Sequence, residues 1–229
     1  MQPYLFPYIG YFQLISATDA FVIYDDVNFI KQGWINRNRL LVNSRPSMFS
    51  VPLDNAGSFR LIKDIGLSSK DYLRWKGKFF RTMELNYKKA PYYEEIMPLV
   101  ESVFNGCTGF IGRLALDSIR HVCKYLDIRL TWIESSSFYD NRHLIGAERV
   151  IDICRLSGAD MYINAIGGRN LYDKKTFEEN GIVLKFIRSK AVVYSQYGDE
   201  FVPDLSIIDV LMFNSKLKVK SYLGEYELI

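Results

Sequence analysis

The chain has 229 residues and a mass of 26.6 kDa, enough to bury a sizeable core in one large domain or a domain with an appendage. With 48% hydrophobic and 24% charged residues it reads as a packed protein, which excludes global disorder. Lys and Arg total 29 against 26 Asp and Glu, so the formal charge of +3 is not the bulk charge of a dedicated nucleic-acid binder.

Residues 2–12 (QPYLFPYIGYF) form a loop punctuated by Pro3, Pro7 and Gly10, and 11–16 reads as a short helix. Residues 20–24 (AFVIY) are a buried-strand pattern ending in Asp25-Asp26. A polar loop around Trp34 spans 31–39, and 46–53 and 62–65 read as further strands. Helices dominate the middle: 69–87, then 92–104 led by Pro91 and kinked at Pro98, then a helix capped by Thr108 and running to 126. From 129 the rhythm alternates. Strands at 129–134, 160–164 and 182–187 are separated by helices at 141–156 and 174–179, and a last helix spans 206–213. This is the pattern of an α/β fold: a mostly parallel sheet with flanking helices and a helical insertion. The expected parts are 1–68 (N-terminal α/β), 69–127 (helical insertion) and 128–229 (C-terminal α/β, completing the same domain).

Three cysteines, Cys107, Cys123 and Cys154, include no C-x-x-C, which argues against a disulfide framework or a structural zinc site and suits a reducing cytoplasm. Cys123 and Cys154 sit in apolar helix patterns, which leaves Cys107 as the plausible exposed thiol. His121 and His143 are too few for a His-rich metal centre, and no metal site is expected. No apolar run reaches the roughly 18–20 residues of a membrane span, and Met1-Gln2-Pro3 does not open a signal peptide.

Five segments hold residues suited to chemistry. Gly10, ahead of the first helix, suits either a phosphate at a helix start or a tight aromatic turn. Asp25 and Asp26 follow a strand, where the ligand crevice of an open α/β sheet lies; a strand-end cap is the alternative. Lys31, Trp34, Asn36, Arg37, Asn38 and Arg39 place three cations, two amides and an indole within nine residues, a set suited to phosphate and to stacking on a base or sugar. Asn141-Arg142-His143 opens a helix, and His143 reads as the general base or as a packing histidine, whereas His121 reads as packing. Asn164, Gly167, Gly168, Arg169 and Tyr172 lie where a strand enters a double-glycine turn suited to backbone contact with phosphate or carbonyl. The standard nucleotide-loop, hydrolase-elbow, zincin and kinase signatures are missing.

The stretches QPYLFPYIGYFQLI, FVIYDDVNFIKQGWINRNRL, GADMYINAIGGRNLYD and LSIIDVLMFN resemble the WbqC-like protein family over nearly the whole chain, from Gln2 to about Asn214. The resemblance implies a bacterial protein of surface-polysaccharide (O-antigen, lipopolysaccharide) biosynthesis. It also implies that Gln2, Pro7, Gly10, Asp25, Asp26, Lys31, Trp34, Asn36, Arg37, Asn38, Asn164, Gly167, Gly168 and Tyr172 belong to recurrent motifs. Members usually carry a short apolar strand just ahead of the Gln-Pro pair, where this sequence has only Met1. The expectation is a strand encoded upstream, or one lacking, with lower stability or a domain-swapped substitute. Some members are implicated in attaching an amino acid such as glycine to a nucleotide-linked amino sugar.

The expected activity is therefore aminoacyl N-transfer. Asp25 or Asp26 holds the sugar ammonium, and one of them or His143 takes its proton. Lys31, Arg37 and Arg39 neutralise the diphosphate, and Trp34 or Tyr11 stacks. The Gly167-Gly168 backbone binds the acyl oxygen or a phosphate. No tightly bound cofactor is expected. The acyl donor is either glycine with ATP or a glycyl-tRNA, and the modest net charge argues against a large RNA footprint. The rivals are a glycosyltransferase, a non-catalytic sugar-nucleotide-binding subunit, and a nucleotidyltransferase.

Overall fold

A computed structural model describes residues 1–106 and 109–229; Cys107 and Thr108, and with them the expected thiol and helix cap, lie outside the described residues. Helix α1 (Ile9–Ser16) leads into strand β1 (Ala20–Val22). Strands β2 (Arg37–Val42) and β3 (Arg45–Ser50) form a hairpin, and β4 (Leu53–Asp54) pairs with β5 (Gly66–Leu67). Helices α2 (Tyr72–Tyr87), α3 (Tyr93–Asn105) and α4 (Ile111–Tyr125) follow. Strand β6 (Thr131–Ile133), α5 (Gly146–Leu156), β7 (Met161–Ala165), α6 (Lys174–Glu178) and β8 (Val183–Ser189) alternate, before α7 (Ile207–Phe213), α8 (Lys216–Tyr222) and β9 (Tyr226–Leu228).

The fold is mixed α/β with small sheets, which corrects the expectation of one mostly parallel sheet. The parallel pairs are β1–β6, with Phe21 opposite Trp132, and β7–β8, with Ile163 opposite Lys185. The pairs β2–β3, β4–β5 and β8–β9 are antiparallel. The physical reason is local at β2–β3: Asn43 (φ 51°) and Ser44 (φ 57°) both take left-handed backbone, which closes a two-residue hairpin between Val42 and Arg45. The segment expected as a strand at 62–65 is instead a 3₁₀ turn (Ile62–Asp64) whose backbone pairs with the chain after β1, Ile62 N donating to Val27 O and Lys63 N to Asp25 O. On the edge of β1 opposite β6, Met1 N donates to Val22 O and Tyr24 N donates to Met1 O, so Gln2 leaves at the same end of β1 as Asp25.

A large apolar cluster includes Phe12, Ile23, Leu40, Met83, Phe104, Ile119 and Ile208, so the middle helices share one core with the N-terminal part. A smaller cluster gathers Val150, Ile151, Cys154, Phe177, Leu184 and Phe186 around α5, α6 and β8. The N-terminal loop is clamped between elements distant in sequence. Phe6, fully buried at φ 42°, donates its N–H to Ser118 Oγ on α4 and accepts at its carbonyl from Asn38 Nδ2 on β2 (2.7 Å) and Ser206 Oγ ahead of α7 (2.7 Å). Left-handed backbone is unfavourable for a bulky aromatic and persists where surrounding contacts hold it.

Candidate functional site

The carboxyl ends of β1 and β6 lie side by side, and the residues just beyond them meet. This is the edge at which open α/β sheets bind ligands. Ser136 N donates to Ile23 O, which brings the serine run 135–137 against the acidic pair. The two aspartates then diverge, as neighbours on an extended chain do.

Asp26 is 3% exposed and accepts from Arg149 NH2 at both carboxylate oxygens (2.7 and 2.6 Å) and from Ser136 Oγ. Arg149, 2% exposed, also donates from Nε to Asn141 Oδ1 (3.0 Å), while Asn141 Nδ2 donates to Asp152. Its guanidinium lies 4.9 Å from the Tyr24 ring centre. Both oxygens of Asp26 are thus occupied by a buried cation, which corrects its assignment as a proton acceptor: Asp26 is a structural anion that ties α5 to the end of β1.

Asp25 is in no ion pair among the described residues. Its Oδ1 accepts from Ser135 Oγ at 2.6 Å, Ser135 Oγ contacts Ser137 Oγ at 3.0 Å, and Lys63 Nζ donates to Ser137 Oγ at 2.7 Å. Burial pushes the Asp25 carboxyl above its ordinary value, offset by the Ser135 hydrogen bond, with Asp26 raising it further and Lys63 lowering it. A carboxylate of raised basicity, oriented by a hydroxyl, is suited to accepting a proton.

His143 is exposed and makes no hydrogen bond or ion pair among the described residues. Helix α5 starts at Gly146, after an extended Ile145, so the expected helix start at Asn141 is corrected. His121 is half-buried with Nδ1 2.8 Å from Asp117 O, a packing role. Cys123 and Cys154 are free and buried, their thiols pushed up to about 12 and about 11 by desolvation.

The cationic indole segment is half strand, since Arg37 to Arg39 open β2. Trp34 is 38% exposed, with the Arg37 and Arg39 guanidiniums 5.9 and 5.8 Å from its ring centre. Arg37 donates to Gly33 O and Gln32 O, and Arg39 to Asp204 O. Neither these arginines nor Lys31 forms an ion pair among the described residues. Lys31, Asn36 and Arg37 share a hollow of about 330 Å³ with Phe29 and Ser50. That hollow is not lined by Asp25, Asp26 or the glycine turn. Asn36 Nδ2 donates to Val51 O, and buried Asn38 spends both amide donors on Leu5 O and Phe6 O. Asn38 is therefore corrected from ligand contact to loop clamp.

Gly10 is also corrected. A Cβ there would overlap the Tyr8 ring and sit 2.5 Å from Ser189 Oγ, so its missing side chain serves packing of α1 on the end of β8. Tyr11 is 2% exposed, with its hydroxyl donating to Gln2 O (2.7 Å) and its ring among Tyr4, Phe12 and Phe21, so it cannot stack on a ligand. The Gln2 side chain has no partner among the described residues and is half-buried.

The double glycine lies in a 3₁₀ turn (Ile166–Leu171). A Cβ at Gly168 would sit 2.6 Å from Asn164 Nδ2, whereas Gly167 faces open space. Asn164 is buried and accepts from Ala165 N, and Arg169 is exposed and unpaired among the described residues. Tyr172 packs edge-on to Tyr162 and Phe177 and interacts electrostatically with Tyr24 beside Arg149. The acidic pair and the glycine segment thus approach through Tyr24 and Tyr172, whereas the hollow beside the indole segment is not shared with them.

Sequence reasoning missed Ser135, Ser136, Ser137, Lys63, Arg149 and Tyr24. The run SSS directly after a strand was the available signal for the first three; nothing local marks Arg149, which looks like any cation on an amphipathic helix.

Fold and site together define a mixed α/β protein with a carboxylate–hydroxyl cluster at the carboxyl edge of a parallel strand pair. The chain belongs to the WbqC-like protein family, whose model matches residues 2–221. It is 30% identical over 224 residues to the uncharacterized protein Rv1507c of Mycobacterium tuberculosis, spanning 95% of this chain and 93% of that one. No solved structure matches. Among the described residues no helix is long and apolar enough to cross a membrane.

Proposed function

We propose that the protein is an aminoacyl N-transferase that attaches an amino acid, glycine first among them, to the amino group of a nucleotide-linked amino sugar used for bacterial surface polysaccharide. The observation that carries the reading is Asp25: a buried carboxylate outside any ion pair among the described residues, of raised pKa, aligned by Ser135 at a strand-end edge.

Amide formation needs a neutral amine, so Asp25 binds the sugar ammonium and takes a proton as the C–N bond forms and the activated acyl carbon loses its leaving group. Ser135 holds the carboxylate in place, and Lys63, donating to Ser137 Oγ, adds positive charge behind that hydroxyl pair; the proton taken by Asp25 leaves to solvent after the product departs. Lys31, Arg37 and Arg39 neutralise the diphosphate, with the Trp34 indole beside it. Gly167 presents backbone to the acyl oxygen. A second reading, sugar-nucleotide binding without turnover, draws on the internal engagement of Asp26.

The test is mass spectrometry of nucleotide-linked amino sugars incubated with the protein and either glycine plus ATP or glycyl-tRNA. The expected result is a gain of one glycyl group that the Asp25→Asn variant does not give. A sugar nucleotide that raises the melting temperature with no mass gain under either donor would replace this reading with the binding one.

A further inference from the structure

The near-neutral total conceals a segregated charge. Between residues 70 and 89, which hold α2, lie seven cations (Lys70, Arg74, Lys76, Lys78, Arg81, Lys88, Lys89) against Asp71 and Glu84, a surplus of five in a chain whose whole surplus is three. Helical spacing places Arg74, Lys78, Arg81, Leu85 and Lys88 on one stripe, about 21 Å long at 1.5 Å per residue. The opposite stripe, Phe79, Met83 and Tyr87, is buried.

Glu84 pairs with both Arg81 and Lys88; Arg74, Lys78, Lys89 and the neighbouring Arg45 form no ion pair among the described residues. At its carboxyl end the stripe opens into a hollow of about 580 Å³, lined by Asn43, Ser44, Arg81, Lys88 and Lys89 among others, with Glu84 as its single carboxylate. The hairpin tip is fixed there by Asn43 N donating to Asn86 Oδ1, while the Ser44 hydroxyl makes no hydrogen bond among the described residues.

We infer that this face of α2 and the β2–β3 hairpin tip bind the phosphodiester backbone of an RNA. Arg74 and Lys78 on the stripe, with Lys89 and Arg45 beside it, are cations without an ion pair among the described residues and can neutralise phosphates. Arg81 and Lys88 share the single charge of Glu84, and a concave end with a free hydroxyl holds a phosphate or ribose. An anionic bilayer fits less well, because a membrane-surface helix needs its apolar face for the lipid and that of α2 is spent on the core. Read with the proposed reaction, on which this last step rests, the RNA is the acyl donor, a charged tRNA rather than a free amino acid.

The test is fluorescence anisotropy with labelled bulk tRNA at 50 and 200 mM salt, for the native chain, for a variant carrying Arg74→Glu, Lys78→Glu and Lys89→Glu, for a milder variant with Gln at the same three positions, and for Asp25→Asn. The expected result is micromolar binding with a slope of log K on log salt of roughly −3, as for three or four phosphates neutralised. The charge reversal should weaken binding at least tenfold, the neutral variant should lie between, and Asp25→Asn should bind as the native chain does. Circular dichroism melts check that each variant is folded. Absence of binding at 50 mM salt, equal binding by the folded reversal or neutral variants, or tighter binding to phosphatidylglycerol vesicles than to tRNA would overturn the inference. Asp25→Asn is read for binding alone; RNA binding by the native chain with no glycyl transfer under either donor would count against the reaction and not against the surface.

Discussion

Ser135 Oγ donates to Asp25 Oδ1 at 2.6 Å across 110 positions of sequence, and Lys63 reaches the same hydroxyl chain through Ser137. This pairing separates two adjacent aspartates into different roles: one answers to a hydroxyl, the other to a guanidinium. Ser135→Ala removes a hydrogen bond to a charged group, worth about 1.5–3 kcal/mol. Its expected effect is a roughly tenfold or larger fall in kcat with little change in KM, while Ser137→Ala falls less. Equal kcat for Ser135→Ala and the native chain in the glycyl-transfer assay would remove the hydroxyl from the proposed mechanism.

The raised pKa of Asp25 has a sign in stability. The folded state holds the proton more tightly than the unfolded chain, whose value is near 3.8. The stability this contributes is fully present below the unfolded value and is lost as pH rises through the raised folded value. At neutral pH the ionised carboxylate therefore weighs against the fold. Asp25→Asn should melt at the same or a higher temperature than the native chain at pH 7, while losing transfer. The native rate should rise with pH along an acidic limb whose midpoint lies above 3.8. A variant that melts lower at pH 7 would show that Asp25 is a stabilising group and not a held base.

Asp26 and Arg149 behave in the opposite way. Their side chains are 4% and 3% exposed, so removing one leaves the other buried and unpaired, at a cost of about 3–5 kcal/mol. Arg149→Met should lower the melting temperature by roughly 10 °C, at 2–4 °C per kcal/mol for a chain of this size. The double variant Asp26→Leu with Arg149→Met should recover much of that loss. Urea melts of Arg149→Met, Asp26→Leu and the double variant decide the point, and additive losses in the double variant would refute the pairing.

Much of this was legible in the sequence, for reasons specific to each part. The strand ending in Asp25-Asp26 and the alternation from β6 to β8 followed from apolar runs broken by glycine and polar clusters. The sheet arrangement was not legible, because pairing partners such as Phe21 and Trp132 are set by tertiary packing. Helix α8 and strand β9 were missed, the first a Lys-rich turn capped by Ser215, the second three residues long. At the site, residue type alone ranked Asp26, Asn38 and Tyr11 with Asp25. Only their internal partners, Arg149, the Phe6 carbonyl and the Gln2 carbonyl, separate these groups from Asp25, whose side-chain hydrogen bond among the described residues is to the Ser135 hydroxyl.

The glycines give a contrast within one family motif set. Gly10→Ala forces a methyl into the Tyr8 ring and against Ser189 Oγ, whereas Gly167→Ala meets no atom within 4 Å. The first should destabilise by about 1–3 kcal/mol through overpacking; the second should leave the melt unchanged. If Gly167 presents backbone to the acyl oxygen, its alanine variant should fold normally and lose rate through crowding of the ligand. Normal kinetics for Gly167→Ala would take that turn out of the site.

The clamp on Phe6 orders two substitutions at one position. Asn38 gives its amide protons to Phe6 O and Leu5 O and accepts Arg39 N–H at Oδ1. Asn38→Ala leaves buried carbonyls short of donors, a cost of about 1–3 kcal/mol. Asn38→Asp should be worse, since it turns a carboxylate oxygen toward those same carbonyls, so lone pair faces lone pair with no proton between. Phe6 stays at its left-handed φ only while Asn38, Ser118 and Ser206 hold it, so both variants should also speed amide hydrogen exchange across residues 4–8. The measured order of stability should be native, then alanine, then aspartate. An aspartate variant as stable as the alanine one at pH 7 would mean that the carbonyls of Leu5 and Phe6 find water, and that the loop is held by its aromatics instead.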